Sequence, residues 1–144
     1  MQIFVYKPNL KSFFVTLFWK QNKWHKHGIL VHTLKVMYGT LKFKRLDLLP
    51  CAILHDIGKP FVAYQKPEDI KNKEYSFTEH EEKSYDIIKN WKFISERTKL
   101  LVRYHYLLRA ISKNQKPQEL FDNLSDDIKN DLEVFLKIDD YGKL

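Results

Sequence analysis

The chain has 144 residues, 44% hydrophobic and 15% aromatic, which is the size of one ordinary globular domain with a real core. No apolar run reaches the roughly 18 residues needed to span a bilayer, and the early "FFVTLF" stretch lacks a small-residue cleavage site, so a soluble, cytoplasmic protein without a membrane role is expected. The net charge of +7 is unevenly placed: residues 1–46 hold nine Lys or Arg and no acid, while the stretch from Pro117 onward holds eight acids against three lysines.

The pattern is helical almost throughout, with four glycines, five prolines and only "QIFVY" at 2–6 as an alternating run, so an all-α single domain over 1–144 is expected. A first helix is expected over about 9–20. Its aromatic residues, with Trp24 just beyond, interleave with Lys11, Lys20, Lys23 and Lys26, a mixture that suits phosphates and stacked bases and equally suits a solvated basic face over an aromatic core. A second helix is expected over 28–39. Ile29, His32 and Val36 share one face, and the opposite stripe of Leu30, Leu34 and Met37 is also apolar, so burial nearly all round is expected, with His32 inward.

The third helix, about 45–56, carries a lone Cys51, read as a buried small hydrophobe, and ends on adjacent His55 and Asp56 before Gly58 and Pro60 stop it. A loop is expected to about Phe77. Thr78 followed by Glu81 has capping-box spacing for a helix toward Asn90, on which His80 lies above Ser84, Ile87 and Trp91. Ser95 opens a helix through about Ile111, where Leu101, His105 and Leu108 repeat the inward spacing. Pro117 can occupy a helix's first turn. Ser125 with Asp126 and Asp127 starts the last helix, to about Asp140, on which Asp139 continues the stripe Ile128, Leu132, Phe135.

Five helices thus aim a histidine or an aspartate inward. An ionised carboxylate in an apolar interior without a partner is prohibitive, and an unpaired buried imidazole costs about 1 to 3 kcal/mol. Lysine and arginine partners are scarce on the same faces. Convergence of these groups on divalent metal ions satisfies all of them together.

In order and type, His32, His55, Asp56, His80, His105 and Asp139 resemble the H…HD…H…H…D pattern of the HD-domain metal-dependent phosphohydrolases, over residues 24 to 143. Within that superfamily the likeness is to the HD domain appended to bacterial CCA-adding tRNA nucleotidyltransferases. It is carried by "WHKHGILVHTLKV" at 24–36, "LHDIGKP" at 54–60, "FTEHEEKS" at 77–84 and the ending "IDDYGK". Lys26 and His27 stand where that subfamily has a proline and an acid, and the interval from Gly28 to His32 is one residue shorter. The nucleotidyltransferase head is absent from these residues, so nucleotide addition is not expected of them.

The resemblance implies a helical bundle with a site between helices that holds one or two divalent ions (Mn, Fe, Co, Ni, Zn or Mg). By that resemblance His32, His55, Asp56 and Asp139 are primary ligands, and Asp56 bridges to a second ion held by His80 and His105. The implied activity is hydrolysis of a phosphoester of a nucleotide or RNA terminus, such as a 2′,3′-cyclic phosphate, by a metal-activated water. Asp56 and Lys59 are then the catalytic candidates. Lys59, Arg109 and His25 are the substrate-binding candidates, with His27 unassigned, and nucleic-acid contact is expected through basic residues 1–46. Two other classes fit the same residues. One is a nucleic-acid-binding module with a structural metal site, and the other is a partner-binding protein with a vestigial one.

Overall fold

The computed structural model describes residues 8–144, so the "QIFVY" run lies outside the described residues. In chain order the helices are α1 (Leu10–Phe18), α2 (Ile29–Lys42), α3 (Leu49–Leu54, led in by a 3₁₀ turn Leu46–Leu48), α4 (Lys59–Val62) and α5 (Pro67–Asn72). They continue as α6 (His80–Ile88), α7 (Glu96–Tyr104), α8 (Leu107–Ser112), α9 (Glu119–Asp122) and α10 (Asp126–Gly142). Among the described residues there is no strand, only isolated bridges between Asn22 and His25 and between Tyr64 and Ser76. No helix among them is long and apolar enough to cross a membrane.

Local chemistry sets the boundaries. Asn9 accepts from the Ser12 amide at 2.9 Å and the Ser12 hydroxyl accepts from the Asn9 amide at 3.0 Å, a reciprocal cap that starts α1. Gly28 starts α2 because a Cβ there would meet the Leu17 carbonyl at 2.5 Å; only glycine lets α2 begin against the end of α1. Ser95 and Ser125 cap α7 and α10 as their sequences imply, and Asp126 and Asp127 sit in the first turn of α10 where the helix dipole favours them.

Helix α2 packs along α10 and against α3, α7 packs on α6, α3 and α10, and α1 covers α4 and the start of α2. Val36, Leu48, Ile88, Leu101, Val102, Leu132, Phe135 and Ile138 form the centre of the core, and Cys51 is buried in it. Against the expectation of all-round burial, Leu30 and Leu34 of the second stripe of α2 face outward, 44% and 62% exposed, while Met37 packs partly buried against the core. The helix is covered on one side by α3 and α10 and carries a second apolar stripe on the other.

Four further boundaries differ from the sequence reading. The helix expected to reach Asp56 closes at Leu54, and His55 to Gly58 form turns. Pro60 does not merely stop a helix; it occupies the first turn of α4, where its missing N–H goes unmissed, and the segment taken as loop holds both α4 and α5. The Thr78–Glu81 cap does not form. Thr78 pairs instead with the Tyr64 hydroxyl at 2.5 Å, and Glu79, at φ 56°, turns the chain so that α6 begins at His80. The helix expected over 95–111 is broken at His105 and Tyr106 into α7 and α8.

An ion network ties α7 and α10 to the turn before α3. Arg45 Nη2 binds Asp131 at 2.6 Å, Arg97 Nε binds the same carboxylate at 2.8 Å, and both arginines reach Asp47. Burial pushes the Asp131 carboxyl up, but Arg97 and Arg45 outweigh it and hold it low; Arg45 does the same for Asp47. Carboxylates depressed in the fold stabilise it above their unfolded values near pH 4, and this contribution is lost as pH falls through their folded values. Asp131→Asn is therefore expected to cost about 2 kcal/mol at pH 7. The difference from the parent should shrink below about pH 4, read from thermal melts between pH 3 and 7.

Candidate metal centre

All six sequence-predicted donors meet in the interior. His32 comes from the core face of α2, His55 and Asp56 from the turn after α3, His80 from the first residue of α6, His105 from the break after α7, and Asp139 from the last turns of α10. Both helix breaks serve this convergence, since leaving the helix at residue 55 lets two consecutive side chains face one point. The Ser84 hydroxyl fixes the turn by accepting from the Gly58 amide and donating to the His55 carbonyl, both at 2.9 Å. A Cβ on Gly58 would lie 2.5 Å from the Ser84 amide, so the dyad rests directly on α6.

The donors form two groups, His32, His55 and Asp139, and Asp56, His80 and His105, each with its ligand atoms within 4.8 Å of one another. The His32 Nε2 lies 2.9 Å from Asp139 Oδ1 and 3.6 Å from Asp56 Oδ2. Asp56 Oδ1 lies 3.3 Å from His80 Nε2 and 3.7 Å from His105 Nε2, so the two Asp56 oxygens face different groups.

Each imidazole is oriented by a backbone carbonyl at Nδ1: Gly142 for His32 (3.0 Å), Ala52 for His55 (2.9 Å), Phe77 for His80 (3.0 Å) and Val102 for His105 (2.7 Å). A carbonyl only accepts, so every Nδ1 carries its hydrogen and a neutral ring turns its Nε2 lone pair inward. Lone pairs then oppose one another, with Nε2 atoms 3.4 Å apart between His32 and His55 and 3.2 Å apart between His80 and His105. Protons or cations must lie between them. Donors held at about 2.1 Å by one ion stand about 3 Å apart at right angles, which these spacings match. Asp56 Oδ2 is buried with no hydrogen-bond partner, because Lys59 Nζ, though 2.8 Å away, lies outside hydrogen-bonding angles. The residues present fit divalent ions.

The electrostatics agree. Burial opposes ionisation of Asp56, but His55 and Lys59 outweigh it and hold the carboxyl well below the usual range. Burial likewise opposes Asp139, and His32 and His55 outweigh it. Burial would lower His55, yet Asp56 and Asp139 hold it up to about 10, whereas burial dominates at His105 and pulls it down.

Of the six donors, His80 lines an adjoining cavity of about 800 Å³, together with His25, Lys59, Tyr106, Arg109 and Lys143, among others. Lys59 is 4% exposed and directs Nζ to Gln21 Oε1 at 3.1 Å. Arg109, expected to grip phosphate, is engaged by carboxylates: Nη2 donates to Asp139 Oδ2 at 2.9 Å and to Asp140 Oδ1 at 2.8 Å. His25 lies edge-on to His32 with centroids 5.0 Å apart, and burial with the Lys59 charge holds it down at about 2, which suits a hydrogen-bond acceptor rather than a proton donor. His27 is outside the cavity, 3.2 Å from the Leu144 carbonyl oxygen.

Sequence reasoning missed Gln21, Tyr106 and Lys143. Lys143 could have been drawn from the "IDDYGK" ending; Gln21 carries no signal, because it lies between helices without periodicity. It is nevertheless fully buried, donating through Nε2 to the His27 carbonyl at 3.1 Å and accepting from Lys59. Gln21→Met keeps the volume and removes the acceptor that aims the Lys59 ammonium, freeing it to turn and donate to Asp56 Oδ2, already 2.8 Å away. Divalent-ion affinity measured by calorimetry is expected to fall about tenfold, as for loss of a group behind a ligand; an unchanged affinity would show that Gln21 only packs.

Comparison with curated proteins and with solved structures finds no match. The HD-domain family profile matches residues 29–138, more than half of the chain. That span covers five of the six donors and stops one residue before Asp139. The chain therefore belongs to the HD-domain family, metal-dependent phosphohydrolases that bind divalent ions.

Proposed function

We propose that the protein hydrolyses a phosphoester of a nucleotide or an RNA terminus, with 2′,3′-cyclic phosphates among its substrates. The observation that carries this reading is the inward convergence of four imidazole lone pairs and two carboxylates, one of them with an unpartnered oxygen, beside a cavity whose wall includes Lys59, Arg109 and Lys143. The likeness of residues 24–36, 54–60 and 77–84 to the HD domains of CCA-adding enzymes supports the cyclic phosphate. A cytoplasmic setting, where nucleotides and RNA ends are at hand, accords with this reading.

Divalent ions held by His32, His55, Asp56, His80, His105 and Asp139 would supply Lewis acidity and a water of lowered pKa. The chain's own groups do the rest. Lys59, donating to Gln21 Oε1 and held 2.8 Å from Asp56 Oδ2, lines the cavity, where its ammonium can neutralise a phosphoryl oxygen as charge develops. Arg109 fixes the Asp139 carboxylate from behind and keeps part of its guanidinium on the cavity wall. Neutral His25 accepts a hydrogen bond from a substrate hydroxyl or from water.

The test is a hydrolysis screen with Mn, Fe, Co, Ni, Zn and Mg against 2′,3′-cyclic nucleotides, nucleoside monophosphates, cyclic dinucleotides and RNA ends. Turnover of a cyclic phosphate that a chelator abolishes is expected. Inertness toward every class with every ion would overturn the reading.

A further inference from the structure

Two features of the cavity wall play no part in hydrolysis at the donor cluster. Lys23 Nζ lies over the Trp24 ring, 4.9 Å from its centroid, and Trp24 is 63% exposed. Lys113 Nζ lies 5.4 Å from the centroid of Tyr106 and donates to its hydroxyl at 2.9 Å. All four line the same cavity. Lys116 and Lys143 are each held by a carboxylate, Glu81 at 3.8 Å and Asp140 at 3.7 Å, whereas no ion pair engages Lys23 or Lys113 among the described residues.

Each pair combines an aromatic ring with an ammonium that no carboxylate holds, the combination that holds a base and its phosphate in single-stranded nucleic acids. The Tyr106 pair stands one ring away from the donors, since Tyr106 packs edge-on to His80 with centroids 5.6 Å apart. Lys113 is one turn of α8 beyond Arg109, about 6 Å along the helix, a step comparable with one extended nucleotide. Of the acids lining the cavity, Glu68, Asp69, Glu74 and Glu79 belong to the segment before α6, and Glu81, on α6, is paired with Lys116, so a phosphate backbone is steered to the α8 side.

We propose that the cavity takes the end of a single-stranded nucleic acid rather than a lone mononucleotide, with Trp24 and Tyr106 stacking bases and Lys23 and Lys113 receiving the phosphates beyond the reacting one. This rests on the hydrolytic reading for the placement of the reacting end at the metal centre, but strand binding is measurable without turnover.

Fluorescence anisotropy with labelled eight-nucleotide RNA and DNA of hydrolysis-resistant phosphorothioate linkage, using the full chain loaded with Mn²⁺, reads it directly. At least one strand is expected to bind ten times or more tighter than the matching mononucleotide, and tighter RNA binding would assign the 2′-hydroxyl a contact. Trp24→Ala and Lys113→Ala are each expected to weaken binding about tenfold, with Lys113→Ala also reducing the dependence on salt by about one counterion. Lys129→Ala, the same charge change on the outer face of α10, should leave binding unchanged. Equal affinity for strand and mononucleotide, or variants at Trp24 and Lys113 that bind like the parent, would overturn the proposal. Tight strand binding by a protein that hydrolyses no phosphoester would instead sink the proposed hydrolysis and leave the strand site standing.

Discussion

Replacing Asp56 with Asn is expected to lower metal-dependent phosphoester hydrolysis by about a thousandfold or more, equivalent to about 4 kcal/mol of transition-state stabilisation. Asp56 is the one residue whose two oxygens face different donor groups, Oδ1 toward His80 and His105 and Oδ2 toward His32 and His55. An amide keeps the shape but supplies only one weak oxygen donor, so it cannot join the two groups. Folding should survive, because the amide N–H can donate to an imidazole Nε2 and Lys59 keeps Gln21. Asp56→Ala removes activity as well and is the harsher change, leaving the ammonium of Lys59 buried beside a void. Helicity followed by circular dichroism separates the two effects. An Asp56→Asn protein that hydrolyses at the parental rate with a full complement of ions would refute the bridging role.

The donor set was legible because most of it obeys helical periodicity. His32 and Asp139 lie on continuous apolar stripes of α2 and α10, so their inward aim follows from the 3.6-residue period, while their expected role as ligands came from the family resemblance. The breaks after Leu54 and Tyr104 were not legible. His55 and His105 keep right-handed helical dihedrals, and neither Gly nor Pro interrupts residues 95–111, so local sequence gives no sign that the chain turns there. Side chains hold those breaks: the Ser84 hydroxyl bonds both ends of the turn after α3, and the His105 ring takes the Val102 carbonyl at 2.7 Å after α7. The start of α6 misled for the opposite reason. Thr78 and Glu81 have the spacing of a cap, but Tyr64 takes the threonine hydroxyl and Glu81 turns to Lys116. The exposed stripe of α2 shows a further limit, since apolar content reports which faces can be buried and not which neighbours exist to bury them.

Each bound divalent ion is expected to raise the melting temperature by about 8 °C at a free concentration near 100 times its dissociation constant, the equivalent of about 2.7 kcal/mol, and chelation should reverse it. The size follows from what the ions relieve: opposed imidazole lone pairs at 3.2 and 3.4 Å and an orphaned carboxylate oxygen, all in the interior. Two donor groups predict two ions, and they predict which residues hold each. His80→Ala takes a ring from the group of Asp56, His80 and His105 and leaves His32, His55 and Asp139 intact, so metal analysis of the dialysed protein should fall from two ions per chain to one. His32→Ala, which also removes the hydrogen bond to the Gly142 carbonyl, should take the other ion and more of the thermal shift, because Asp139 then keeps only His55 from its own group. Two ions retained in both variants would mean that the six donors act as a single loose cluster, and a protein whose melting temperature ignores every divalent ion would mean that protons alone satisfy these buried groups.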